Sequence, residues 1–338
     1  MSKLLSREHR ADSTVRARSG ASALAARLGH ALLRFVLLLL AASVIIFVLL
    51  RAVPGDPARV ALGVSATDEA VAELSHRLGT DRPLVDQYLD WVGGMLTGNF
   101  GISMASGTEL APVVAERAGA SLTLTVIAMV CSLAIAVPAG TYLARRRGHA
   151  DAALINALTQ VGIVVPSFLV GILAVACFSV RLGWLPANGW GTPSHIVLPV
   201  FALTLVQASI LTRYVRAAIS EELTKDYVRT ARASGASVST ALARHALRNA
   251  ALPVLTVTGV QLSTLIVGAV VIERVFAVPG LGSMLIDAVS TRDLTAVQTV
   301  MMCIVAFTLA VNLAVDVSYA AIDPRTRQAG RPGRFAQW

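Results

Sequence analysis

Residues 226–254 read DYVRTARASGASVSTALARHALRNAALPV, a basic, glycine-punctuated stretch between two uncharged hydrophobic runs. Residues 226–234 have helical spacing. Val228, Ala231 and Gly235 fall at i, i+3 and i+7 and form a small-residue stripe beside Arg229 and Arg232. Gly235 is placed to end that helix, because glycine enters the left-handed conformation of a helix C-terminus without steric cost. Ser237 is a suitable N-cap for a second helix over 238–249. On that helix Arg244 and Arg248 share one face, and Leu242, Ala246 and Leu247 make an apolar side. The stretch is therefore a helical hairpin that offers small side chains and positive charge to a partner.

Outward from the hairpin, 55% of the 338 residues are hydrophobic and 14% charged, with a mean hydropathy of +0.67. Such a chain is mostly embedded in a bilayer. Spanning the hydrocarbon takes about 17 to 25 apolar residues. Six runs qualify, at 35–50, 121–142, 154–180, 196–212, 252–272 and 294–315, and none holds a charged side chain. The first is short and is completed by Leu32, Leu33 and a snorkelling Arg34. Pro138, Pro166 and Pro199, with Gly162 and Gly171, are positions where these helices can bend or pack closely. The fold class expected is an all-α polytopic membrane protein with six transmembrane helices.

Basic residues set the orientation. With residue 1 in the cytosol, 21 Lys and Arg fall in cytosolic segments and eight in outer ones, which satisfies the positive-inside rule with both termini cytosolic. Trp184 and Trp190, beside Pro186 and Gly189, mark a short outer connection at the membrane interface. The net charge of +9 then reflects topology and contact with membrane lipid rather than nucleic-acid binding. Residues 1–31 read as a mobile, basic cytosolic tail. A cleaved signal peptide is disfavoured, because the apolar run continues through 47–50 and is followed by Pro54-Gly55-Asp56-Pro57.

The hairpin resembles the ATPase-coupling loop of ABC-importer inner-membrane permeases of the dipeptide, oligopeptide and nickel branch. The resemblance rests on Tyr-Val-Arg-Thr-Ala-Arg-Ala at 227–233, on Gly235, and on Arg-His-Ala-Leu-Arg-Asn-Ala at 244–250 followed by Leu252-Pro253-Val254. The general importer motif, Glu-Ala-Ala with a later Gly, falls on Arg229, Thr230, Ala231 and Gly235. Its acidic residue is absent here, as is usual in that branch. Further matches are Pro54-Gly55-Asp56-Pro57, Leu78-Gly79, residues 81–84, 99–103 and 273–282, and Asp316, Tyr319, Asp323, Pro324 and Arg325 near the end. The resemblance covers about 34–327.

It implies a type I importer permease fold in the bacterial cytoplasmic membrane, with the segment after Gly235 as the coupling helix in a groove of an ATP-hydrolysing subunit. Tyr227, Arg229, Thr230, Ala231, Arg232, Gly235, Ala236, Ser237, Arg244 and His245 are the coupling residues it implies. The partners implied are a second homologous permease, two cytosolic ATPase domains carrying ATP and magnesium, and an extracytoplasmic substrate-binding protein. The chain divides into a tail at 1–31, a first span at 32–50, an extracytoplasmic segment at 51–118, a transmembrane core at 119–320 that includes the coupling loop 213–251, and a tail at 321–338.

Enzyme chemistry fails on inventory. The two lysines, Lys3 and Lys225, do not follow glycine, so the chain has no GxxxxGK[ST] phosphate loop and ATP must be hydrolysed by another chain. His9, His30, His76, His149, His195 and His245 lie in loops or at boundaries, where they cannot serve an intramembrane protease. Cys131, Cys177 and Cys303 sit singly in separate spans without CxxC spacing, so no metal or cofactor is expected on this chain.

Polarity within the spans is uncharged: Asn156, Gln160, Gln207, Gln261, Gln298 and Asn312. Gln261, Ser263 and Thr264 form the cluster expected to face a translocation pathway, with Glu273 at its outer mouth. Dispersed amides and hydroxyls suit passage of di- and oligopeptides. A nickel or metal-chelate importer is the alternative within the branch. An ion-coupled secondary transporter is disfavoured by the absence of charge at the midplane.

Overall fold

The computed structural model describes residues 2–52, 57–62, 66–146, 148–242 and 247–322, and the described residues build an all-helical bundle. Helix α1 (Ser2–Arg51) leads through α2 (Pro57–Leu62), α3 (Asp68–Leu78) and α4 (Leu84–Thr97) to α5 (Leu110–Arg145). Then come α6 (Ala150–Val164) and α7 (Ser167–Ala174), the latter continuing into a π-helical stretch at Val175–Arg181. Helix α8 (Pro193–Leu223) is followed by the short α9 (Asp226–Ala233) and α10 (Val238–Ala241), then by α11 (Leu247–Val275), α12 (Leu281–Ser290) and α13 (Leu294–Ile322). Residues 1–31, expected as a basic cytosolic tail, fall in α1, which starts at Ser2 and runs without a break into the first apolar run.

Among the described residues five helices are long and apolar enough to cross a membrane: Leu28–Arg51, Leu110–Arg145, Pro193–Leu223, Asn249–Val275 and Leu294–Ser318. The sixth run is not a single rod, because Ala150–Val164 and Ser167–Arg181 meet at 100°. The cause is local. Pro166 forces the residue before it out of the helical region, and Val165 is extended at φ −76° and ψ 123°.

The packing of α5 on α8 decides whether that bent pair crosses. Ser132 Oγ donates to the carbonyl of Thr204 at 3.4 Å, and further along both helices Gly140 abuts Val215, so α5 and α8 run parallel. The chain must therefore return across the membrane between them. The bent pair makes that return and completes six crossings.

Small residues permit these approaches, as expected where lipid removes the hydrophobic drive between helices. A Cβ on Gly162 would sit 2.1 Å from Ser209 Oγ of α8, and one on Gly259 would sit 2.1 Å from Val315 of α13. The main core joins Leu124, Ala128, Leu203, Leu211, Ala269 and Ile272 from α5, α8 and α11. One end of the bundle carries Arg34, the α9–α10 hairpin and Asp316. The other carries Arg51, α2–α4 and α12.

At that second end Asp293 accepts from Ala296 N at 3.0 Å, capping α13, and from Met104 N at 3.2 Å and Ser103 Oγ. The same carboxylate thus fixes the 103–105 turn to the bundle. Helix α4 is held against α1 by Tyr88 and Trp91 packing around Phe47, with the Arg51 guanidinium 4.9 Å over the Phe47 ring.

Candidate coupling surface and pathway face

Helix α9 ends as its sequence requires. Gly235 has φ +89°, its N–H donates to the Arg232 carbonyl at 3.0 Å, and Ala236 N–H donates to the Ala231 carbonyl at 3.0 Å. This paired closure needs a left-handed residue at 235. Ser237 Oγ then accepts from Thr240 N–H at 3.1 Å, the N-cap contact of the next helix. That second helix was expected over 238–249; α10 covers Val238–Ala241 and α11 begins at Leu247, and residues 243–246 between them lie outside the described residues. Arg244 and His245 lie outside the described residues.

The hairpin is seated, not pendent. Leu242 is buried with Ala144, Val215, Ile219 and Ala250, where α5, α8 and α11 converge, and Leu247 packs against that cluster. Val228 is also buried, so the expected small-residue stripe does not form one outward surface. Its members separate: Val228 turns inward, Ala231 is half-buried and Gly235 is exposed. The face left outward carries Arg229, Thr230, Arg232, Gly235 and Ser237, with Ala236 half-buried beside them.

A polar staple at the hairpin's root escapes simple sequence reading. Glu222, in the last turn of α8, is buried, accepts from Lys225 Nζ at 2.5 Å and accepts from the Tyr227 hydroxyl. Asn249, in the first turn of α11, donates to the same tyrosine oxygen at 3.0 Å. Tyr227 thereby joins α8, α9 and α11. Desolvation raises the Tyr227 hydroxyl pKa, and the bond to Glu222 raises it further. The Lys225 ammonium is likewise raised, chiefly by its bond to Glu222. The i,i+3 spacing of Glu222 and Lys225 was the one signal available in sequence. Across the hairpin, Arg145 at the end of α5 donates to Ser239 Oγ at 2.6 Å.

The expected pathway cluster divides. Thr264 is exposed and its hydroxyl donates to Gln261 Oε1 at 3.0 Å, placing both on one face of α11. Val260, Gly268, Val267 and Val271 continue that face as an exposed strip along the helix. Ser263 points the other way, buried, with its hydroxyl donating to the Gly259 carbonyl at 3.2 Å.

Glu273 does not lie at an open mouth. It is 1% exposed and accepts from Ser121 Oγ at 2.6 Å and from Ser283 N–H at 2.9 Å. Its carboxylate sits at the N-terminus of α12, where free backbone donors favour negative charge. Gly280 lies so close that a Cβ there would be 2.2 Å from Glu273 Cδ. Arg274 instead makes the ion pair of this region, at 2.8 Å from Asp287.

Residues 136–328 match the family described as "Binding-protein-dependent transport system inner membrane component". Residues 27–115 match the family of its N-terminal portion. The chain belongs to this family. The permease is 37% identical over 294 residues to "Probable peptide ABC transporter permease protein y4tP" of Sinorhizobium fredii, covering 84% of the chain and 94% of that relative. It is 37% identical over 285 residues to "Glutathione transport system permease protein GsiC" of Escherichia coli (strain K12), covering 84% and 93%.

Its fold is shared with the MetNI methionine ABC transporter in an inward-facing conformation. The TM-score is 0.56 at 18% identity, over 63% of this chain and 98% of that one. The protein is thus an ABC-importer permease subunit and a multi-pass inner-membrane protein.

Proposed function

We propose that this permease forms, with a second homologous permease, the pathway by which di- and oligopeptides enter the cytoplasm, driven by two cytosolic ATPase domains. An extracytoplasmic binding protein delivers the peptide to the end carrying α2–α4 and α12. The observation that carries this reading is the seated hairpin, whose Arg229, Arg232 and Gly235 face outward from a root locked to α8 and α11. Rigid seating makes it a handle through which an ATPase subunit displaces the bundle.

The 21 to 8 distribution of Lys and Arg supports a cytosolic hairpin and cytosolic termini. ATP and magnesium belong to the ATPase partners, consistent with the lack of a phosphate loop in this sequence. Arg229, Thr230, Arg232, Gly235, Ala236 and Ser237 are proposed to touch the ATPase subunit, while Tyr227 positions them. The α11 face with Gln261 and Thr264 is proposed to line the pathway or to meet the second permease. Its valines and hydroxyl give weak, dispersed contacts, which suit release of varied cargo.

Peptide cargo is favoured by the relatives whose names include peptide and glutathione transport. The test is uptake of labelled di- to oligopeptides by cells that lack this gene and any redundant peptide importers. Loss of uptake, restored by the gene, supports the reading. Persistent peptide uptake with a fall in cellular nickel assigns the chain to metal-chelate import.

A further inference from the structure

We propose that the groove between α1, α11 and α13 at the hairpin end holds the headgroup of a zwitterionic phospholipid bearing a primary ammonium, the phosphatidylethanolamine class. The groove encloses about 270 Å³ and is lined by Arg34 and Leu38 of α1, Val260 of α11, and Leu309, Asn312 and Asp316 of α13. Arg34 and Asp316 share this space without forming an ion pair, and neither makes a hydrogen bond to another group among the described residues. Two opposite charges in one groove that do not neutralise each other present a phosphate site and an ammonium site together.

Their depth fits a headgroup. Arg34 immediately precedes the apolar run 35–50 and Asp316 immediately follows 294–315, so both lie at the same edge of the hydrocarbon. A charge at that edge is costly unless it meets water, a counter-charge or a headgroup. Above them in the groove Leu38, Val260 and Leu309 are apolar and can line acyl chains.

The pairing also discriminates between lipid classes. An anionic glycerol headgroup would bring its phosphate to Arg34 but offer Asp316 no cation. A choline headgroup supplies a cation without N–H donors, so neither Asp316 nor the Asn312 carbonyl gains a hydrogen bond. A primary ammonium satisfies both. The lipid would fill the gap between α1 and the α11–α13 pair. The inference requires membrane insertion alone and is independent of the transported substrate.

The test uses the complete complex, with its second permease and ATPase subunits, exchanged into micelles holding equal phosphatidylethanolamine, phosphatidylcholine and phosphatidylglycerol. Retained lipid is read by native mass spectrometry. The expected result is several-fold enrichment of phosphatidylethanolamine. Arg34→Gln should lower all bound phospholipid, Arg34→Lys should preserve it, and Asp316→Asn should abolish the preference for phosphatidylethanolamine while leaving phosphate-dependent retention.

Co-purification of the ATPase subunits checks that each variant assembles. If Arg34→Gln does not assemble, the lipid preference of Asp316→Asn decides the question alone. Equal retention of the three lipids by the unaltered complex overturns the proposal, as does an unchanged preference in Asp316→Asn. Cross-linking of a cysteine at Leu309 to the second permease, showing protein in the groove, overturns it too.

Discussion

Replacing Gly235 separates the two things a glycine at the hairpin's turn can supply, backbone freedom and an unobstructed surface. Gly235 sits at φ +89°, and a Cβ added there would meet nothing within 4 Å. Alanine should therefore cost only the backbone term, about 1–2 kcal/mol for an L-residue in left-handed geometry. At 1.4 kcal/mol per tenfold, that lowers the ratio of closed to open turn by roughly 5- to 30-fold. Asparagine tolerates this region better and should lose less. Glutamate should fall near alanine in the isolated turn, because pairing with the exposed Arg229 and Arg232 returns only ~0–1 kcal/mol.

The assay is substrate-stimulated ATP hydrolysis and uptake by the complete complex in proteoliposomes, with each variant's membrane level measured in parallel. The expected order of activity is Gly235, then Gly235→Asn, then Gly235→Ala, with Gly235→Glu lowest because its side chain also enters the proposed ATPase contact. Full activity in Gly235→Ala together with a dead Gly235→Glu would refute the backbone argument. The glycine would then be needed as bare surface against the partner.

Four further outcomes are expected. Cysteines at the exposed positions Ala105 and Ser290 should react with an impermeant thiol reagent outside intact cells and one at Ser239 should not; the opposite pattern reverses the topology. Tyr227→Phe removes a hydroxyl bonded to the buried Glu222 carboxylate, a contact worth about 1.5–3 kcal/mol, so ATPase stimulation should drop by about tenfold or more while assembly persists; unchanged stimulation would remove the staple from the mechanism. Gly280→Ala places a methyl against the Glu273 carboxylate and should destabilise the complex by about 1–3 kcal/mol, visible as a lower thermal midpoint in detergent. Introducing leucine at Gly162 should prevent α6 from meeting α8 at Ser209, and membrane levels of the protein should fall; normal levels would show that the two helices separate without cost.

What could be read from sequence was mostly what is decided within a few residues. The left-handed Gly235 and the Ser237 cap follow from local chain geometry, and both stand where the spacing put them. The apolar runs likewise mark the crossing helices, because span length is set by the bilayer. The run 154–180 gave no measure of its bend: it is apolar throughout, and only the extended Val165 beside Pro166 turns a candidate hinge into a 100° angle.

Burial of charge was the least legible property. Glu273 stands at the end of an apolar run and reads as a mouth residue until Ser121, distant in sequence, and the donors at the start of α12 close around it. Glu222 gave no sign beyond its i,i+3 spacing to Lys225, since Tyr227, which donates to it and is itself held by Asn249, reaches it only through the fold of the hairpin. Val228 illustrates the same limit in an apolar residue. Helical period places it on a stripe, but which way the stripe faces depends on where α5, α8 and α11 converge.

The two polar closures bear on each other because α11 joins them. This helix of 29 residues is about 43 Å long at 1.5 Å per residue. It is held in its first turn by Asn249 to Tyr227 and near its last by Glu273 to Ser121 and α12. Neither closure depends on a long flexible loop, so displacing α9 moves the start of α11 directly, through a side-chain bond and the buried Leu242 cluster. A helix held at both ends transmits that movement as tilt or translation, whereas a loop would absorb it. The α11 face bearing Gln261 and Thr264 lies between the two fixed points, so any such movement must change the surface that face presents.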